Sequence, residues 1–156
     1  MTERKNETNL DQLLVRAFYW MDESLQQNIR KRGGPNVSHS QSMIIMAIGE
    51  GITRPSAIAD RLGVSRQAIH QALRELIGIG LIELVPDPED GRAKLATLSK
   101  TGLPIQKLAH GILCELEVEL GKRIGKRRVN QLREAIQTDV GKAAAMHETR
   151  VTLLPA

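Results

Sequence analysis

The chain has 156 residues but only one cysteine, one phenylalanine, one tyrosine and one tryptophan. A lone thiol, Cys114, excludes an internal disulfide framework and fits a reducing compartment. With so few aromatic rings, a core has to be assembled from Leu, Ile, Val and Ala. No apolar run approaches the length that crosses a bilayer. The opening MTERKNETN is polar and charged, unlike a secretory leader. A cytoplasmic protein with no membrane partner is the expectation. Catalytic signatures are missing as well: there is no nucleophile elbow, no phosphate-cradling glycine loop and no carboxylate pair isolated at a strand end. The glycines are scattered as helix stops. Neither an enzyme nor a bound cofactor is expected.

What the chain does contain is ordinary globular material, 41% hydrophobic and 26% charged, enough for one domain or two small intertwined ones. Its net charge of +4 tolerates a polyanionic partner without requiring one. Between Thr53 and Gly102 the cations are mixed with Asp60, Glu75, Glu83, Asp87, Glu89 and Asp90. A nucleic-acid reading therefore depends on where the cations point, not on their number.

The apolar pattern is mostly helical. From Asn9, the positions Leu10, Leu13, Leu14, Ala17, Phe18, Met21, Leu25 and Ile29 hold one stripe for about five turns. That is long beside an average helix of about 11–12 residues. Arg30, Lys31 and Arg32 suit the negative end of its dipole, and Gly33-Gly34-Pro35 stops it. Ser38 or Ser40 can cap a second helix, Met43 to Ile48. Thr53 is placed to cap a third, with Pro55 in its first turn.

The segment PSAIADRLGVSRQAIHQALR, Pro55 to Arg74, carries the sharpest signal. Ile58, Ala59 and Leu62 give a short amphipathic helix. Gly63 sits where the chain must turn through a left-handed conformation. Val64 is expected to close the turn with an apolar contact, and Ser65 to cap the next helix. Ile69, Ala72 and Leu73 return at helical spacing, and the small Ala59 permits close approach. Ser65, Arg66, Gln67, His70, Gln71 and Arg74 are left facing outward. None is acidic, and each can donate a hydrogen bond to a phosphate or a base edge.

Helix–glycine–helix hairpins also occur in proteins that never touch DNA, so the residues that follow matter. Leu81 to Val85 reads as a strand, Pro86-Asp87-Pro88-Glu89-Asp90-Gly91 as a turn, and Lys94 to Leu98 as the returning strand. A two-stranded ribbon after the recognition helix is a wing, with Arg92 and Lys94 at its tip. Ser99 to Thr101 can cap another helix, whose stripe Ile105, Leu108, Ile112, Leu116, Leu120 and Ile124 ends at Gly125. Val129, Leu132, Ile136 and Val140 mark a last one.

The fold class is mainly α with a small β-hairpin wing, a winged helix-turn-helix flanked by N- and C-terminal dimerisation helices. Five segments are expected: a flexible arm at 1–8, a dimerisation helix at 9–35, the DNA-binding lobe at 36–102, C-terminal dimerisation helices at 103–148 and a tail at 149–156. Too little apolar surface lies in the middle to cover both terminal stripes, which points to pairing with a second subunit. A monomeric bundle of the terminal helices is the plainer alternative.

At this point the residues resemble the MarR family of bacterial transcription regulators, above all its SlyA-like members. Asp90-Gly91-Arg92-Ala93-Lys94 is similar to the family's Asp-x-Arg-x-Lys/Arg wing signature. Leu98-Ser99-Lys100-Thr101-Gly102 stands where the family has Leu-Thr-x-x-Gly, and Gly80-Leu81-Ile82 leads into the wing at the expected distance. The likeness covers residues 10 to 145 in element order. It implies a homodimer with entwined terminal helices that binds double-stranded DNA at a palindromic operator, acts as a repressor, and is released by a small aromatic or anionic effector. In that frame Ser65, Arg66, Gln67, His70, Gln71 and Arg74 face the major groove. Arg92 reaches into the minor groove, oriented by a carboxylate–guanidinium pair with Asp90, and Lys94 stands beside it.

Phe18, Tyr19 and Trp20 hold all the aromatic rings on consecutive positions, so they cannot share one face. Phe18 belongs to the core stripe; Tyr19 or Trp20 either lines an effector cleft or packs between subunits. His110 and Cys114 lie four apart, a spacing that can hold a metal ion, but no third ligand is near in sequence and no metal site is expected. Cys114, flanked by Leu113, Glu115 and Glu117, is expected to be a buried structural thiol. Lys126, Arg127 and Arg128 oppose the dipole of the last helix and read as a solvated face, or as an extra phosphate contact. The rival function from another class is a winged-helix protein–protein adaptor without DNA binding.

Overall fold

A computed structural model of the chain describes residues 8–138. Helices α1 (Leu10–Lys31), α2 (His39–Gly49), α3 (Pro55–Leu62) and α4 (Arg66–Gly78) come first. Strands β1 (Ile82–Pro86) and β2 (Lys94–Leu98) follow, then helices α5 (Gly102–Ile124) and α6 (Lys126–Gln137). The described residues form two compact units that part after Glu119, inside α5. Residues 1–7 of the arm expected at 1–8, the last expected helical residues 139–148 with Val140, and the tail at 149–156 lie outside the described residues.

The first unit holds an aliphatic core in which Ile44 of α2, Ile58 of α3, Ile69 and Leu76 of α4, Ile82 of β1 and Ala96 of β2 are all buried. No aromatic ring takes part in that cluster. Burying one such Leu or Ile side chain contributes about 1.5–3 kcal/mol. Helix α2 starts a turn earlier than its apolar residues suggest because Ser38 and Gln41 form a capping box. Ser38 Oγ accepts from the Gln41 amide at 3.3 Å, and Gln41 Oε1 accepts from the Ser38 amide at 2.8 Å. The first turn itself, His39 to Ser42, is polar and leaves no apolar trace of the helix.

Gly63 has φ +65°, the left-handed conformation expected of it. The turn closes through the backbone, Val64 N–H on Ala59 C=O at 3.1 Å, while the Val64 side chain stays exposed instead of making the expected apolar closure. Ser65 caps α4 by accepting from the Ala68 amide at 3.1 Å. Arg54, not Thr53, takes the N-cap position of α3. The Thr53 carbonyl instead accepts from the Ala96 amide at 2.8 Å, so the segment before α3 pairs with β2.

The wing is an antiparallel hairpin in the register Ile82↔Leu98, Leu84↔Ala96, Pro86↔Lys94. Ser99 joins it to α5: its hydroxyl donates to Gly80 C=O at 2.5 Å and accepts from the Gly102 amide at 2.9 Å. A Cβ on Gly102 would stand 2.0 Å from the Leu81 carbonyl oxygen, so only glycine fits that approach.

The C-terminal half of α1 is covered and the N-terminal half is not. Leu25 and Ile29 pack with Ile112 and Leu116 of α5. Buried Asp22 braces α1 to α2, accepting from Ser42 Oγ at 2.8 Å and pairing with His39 Nδ1 at 2.9 Å. Leu10, Leu13 and Leu14 are 70%, 46% and 44% exposed.

In the second unit, Gly125 turns with φ +100° and its amide bonds Gly121 C=O at 2.9 Å, ending α5 where expected. Helix α6 buries Val129 but exposes Leu132 and Ile136. No helix among the described residues is long and apolar enough to cross a membrane.

Candidate nucleic-acid interface

Helix α4 separates its two faces cleanly. Ile69, Leu73 and Leu76 are buried in the core, whereas Arg66, Gln67, His70, Gln71 and Arg74 are exposed at i, i+1, i+4, i+5 and i+8. Ser65 is exposed at the positive end of the helix dipole. Among the described residues, nothing holds the side chains of Arg66, Gln67 or His70. Gln71 and Arg74 are different. Gln71 Nε2 donates to Glu75 Oε1 at 2.9 Å, Arg74 Nη2 donates to Gln71 Oε1, and Gln41 Nε2 of α2 holds the second Glu75 oxygen at 2.8 Å. The last turn of the row is thus tied to α2 through a carboxylate that sequence reasoning did not place there.

The wing brings Arg92 and Lys94 to the surface, both exposed. Asp90 does not pair with the Arg92 guanidinium. Its Oδ1 accepts from the Arg92 backbone amide at 3.1 Å, and its carbonyl accepts from the Ala93 amide at 2.9 Å. Asp90 is therefore the turn former that sets the path of the chain, because an Asp side chain two residues back is placed to cap a loop amide. The Arg92 head is left to reach outward.

One acid in this region was read from sequence only as a turn former. Asp87, just past β1, has a side chain 3% exposed and is gripped by Arg54, with Nε at 2.9 Å and Nη2 at 2.6 Å from Oδ2. Its Oδ1 accepts from the Glu89 amide at 2.9 Å. The backbone bond from Glu89 and then the Arg54 guanidinium hold this carboxyl below its ordinary value of 3.8, against the opposing effect of burial. Arg54 and Asp87 lie 33 residues apart, a separation that no periodicity reveals.

A cavity of about 790 Å³ lies in the first unit, walled by Phe18, Leu25, Met46, Ile105 and Leu113 among others. Phe18, expected in the core stripe, lines it together with Met21 and Leu25; Tyr19 and Trp20 do not. Successive helical residues are turned by about 100° from each other, so the wall takes the i, i+3 and i+7 positions. Tyr19 instead lies against His39, ring centroids 4.8 Å apart, and Trp20 packs on the Leu25–Ile112 cluster. Gln26 also faces the cavity, and its buried Oε1 has no hydrogen-bond partner among the described residues. Cys114 is exposed, not buried, with its Sγ 3.8 Å from His110 Nε2. No group of three metal-ligating side chains occurs among the described residues.

A recognition helix with an exposed polar row, a two-helix turn beneath it and a hairpin beyond it together define a winged helix-turn-helix. Residues 36–93, which span the winged lobe from before α2 to the tip of the hairpin, match the MarR family model. MarR-family proteins are regulators, not enzymes. No curated protein matches the chain at the sequence level. Among solved structures, the reduced form of MarR from E. coli is 21% identical, with TM-score 0.70 over 88% of this chain and 100% of that one. A cysteine-to-serine mutant of the same repressor, complexed with operator DNA, is 22% identical, with TM-score 0.64 over 85% and 94%. A transcriptional regulator from Thermotoga maritima is 17% identical, with TM-score 0.58 over 81% and 88%. At these identities the likeness is one of fold.

Proposed function

We propose that the chain is a DNA-binding transcriptional regulator, a repressor that acts as a homodimer on a palindromic operator. The observation that carries this reading is the exposed, acid-free row Arg66, Gln67, His70 on α4 beside a wing with a free-standing Arg92. A row of that kind matches the major groove, where Gln and Arg read base edges, and a guanidinium on a hairpin suits a narrow minor groove. The solved relative bound to operator DNA supports the same use of the fold.

Homodimerisation is supported by the bare leucines of α1, Leu10, Leu13 and Leu14, since an apolar stripe left in water is the usual mark of a subunit contact. The corresponding division of labour is a dimerisation helix at 9–35, a DNA lobe at 36–102 and C-terminal dimerisation helices at 103–148. Release by a small effector is supported by the α1–α2–α5 cavity, which has mostly apolar walls and the buried Gln26 Oε1, without a hydrogen-bond partner among the described residues.

The test is a salt-titrated gel shift on DNA from upstream of its own coding sequence, against excess non-specific competitor. We expect a retarded band at physiological salt that competitor does not remove, weakened by small aromatic acids. Binding no tighter than to non-specific DNA would leave the adaptor reading in its place.

A further inference from the structure

We propose that Arg54 and Asp87 form a latch that positions the wing against the recognition helix, so that Arg54 serves DNA binding without touching DNA. This rests on the DNA-binding reading above. Asp87 is the single buried residue between Pro86 and Arg92; Pro86, Pro88, Glu89, Asp90, Gly91 and Arg92 are all exposed. A carboxylate is an unfavourable group to bury alone, and it is retained here with three charge-assisted or backbone donors. Asp87 also closes the loop through its amide, which donates to Ala93 C=O at 3.0 Å. The loop that carries Arg92 is therefore built on Asp87.

The other half of the latch is equally well placed. Arg54 is the N-cap of α3, next to Thr53, whose carbonyl pairs with Ala96 of β2. Helix α3 contributes Ile58 and Ala59 to the core that receives Ile69, Leu73 and Leu76 of α4. Wing loop, Arg54, α3 and α4 thus form one connected body, and the span from Arg92 to the α4 row is set by it. Without the latch, the loop from Pro88 to Arg92 keeps the hairpin bonds at its ends and the Asp90 turn bonds to the Arg92 and Ala93 amides, none of which ties it to α3. The depressed pKa of Asp87 agrees with a carboxylate held charged in this position.

Two variants separate this role from direct phosphate contact by Arg54, because the two predict opposite signs for one of them. If Arg54 bound phosphate, Asp87→Asn would loosen its hold, leaving the exposed Glu89 at 3.7 Å as its remaining carboxylate partner. It would also remove a repelling charge, and affinity would rise. As a latch, Arg54→Ala and Asp87→Asn both weaken operator binding by about tenfold, the size of one lost groove contact. The double variant is then no weaker than either single one. Neither variant adds further loss in an Arg92→Ala background, since the latch acts through that residue.

A second readout needs no DNA: amide hydrogen exchange at Glu89, Arg92 and Ala93 should speed up in both variants while Leu73 and Leu76 of α4 keep their protection. Unchanged exchange overturns the latch. Tighter binding by Asp87→Asn, or losses that add fully to Arg92→Ala, overturn it too. If the wild-type chain binds no DNA, the functional reading fails, and the exchange experiment still decides the latch.

Discussion

The winged lobe and the first half of α1 use the same residues, Leu and Ile at helical spacing, to opposite ends. In the lobe, Ile58 and Leu76 are fully buried, closed in by α2, α3, α4 and the hairpin. On α1, Leu10, Leu13 and Leu14 continue a stripe whose later members Leu25 and Ile29 are covered by α5, yet they lie open. Periodicity tells which face of a helix is apolar and nothing of what covers it. The lobe completes its own core; the α1 stripe is completed only in part by its own chain.

That contrast can be broken by substitution. Ile58→Ala, which opens a cavity in a closed core, should lower unfolding stability by about 2–5 kcal/mol in denaturant titration. Leu13→Ser with Leu14→Ser should leave far-UV helicity of the lobe intact but shift sedimentation from dimer to monomer. A monomeric wild type, or an unshifted dimer in this variant, would show that the bare stripe is not the contact. Ser38→Ala removes a capping box between these two regions and should cost about 1 kcal/mol, read as an unchanged denaturant slope with a lower midpoint.

The smallest effect is in the wing and depends on pH. The folded-state pKa of Asp87 is depressed, so its contribution is complete above the ordinary value of 3.8 and is lost as pH falls through the lower folded value. Acid titration of the wild type should therefore show wing amides losing protection below about pH 4. The wing of Asp87→Asn should show no such step.

Much of the lobe was legible because its signals are local. Gly63 and Ser65 are neighbours in sequence, and the left-handed turn and the cap they predict are both present. The second strand has the predicted limits, Lys94 to Leu98, since alternation and a dense turn bracket it. The first turn of α2 was hidden because His39 to Ser42 are polar and its cap bonds are visible only as a Ser–Gln spacing. Cys114 was misjudged because Leu113 is its neighbour in sequence while the buried side of α5 runs through Ile112 and Leu116. The ties Arg54–Asp87 and Gln41–Glu75 span 33 and 34 residues, and only the fold brings such polar partners together.

The most direct measurement compares operator affinity of the wild type and Arg92→Ala across a salt series. We predict that the wild type binds specifically, and that the variant binds more weakly with a log–log salt slope shallower by about one counterion. An Arg92→Ala protein with full affinity and an unchanged slope at physiological salt would contradict a reader that uses both helix and wing.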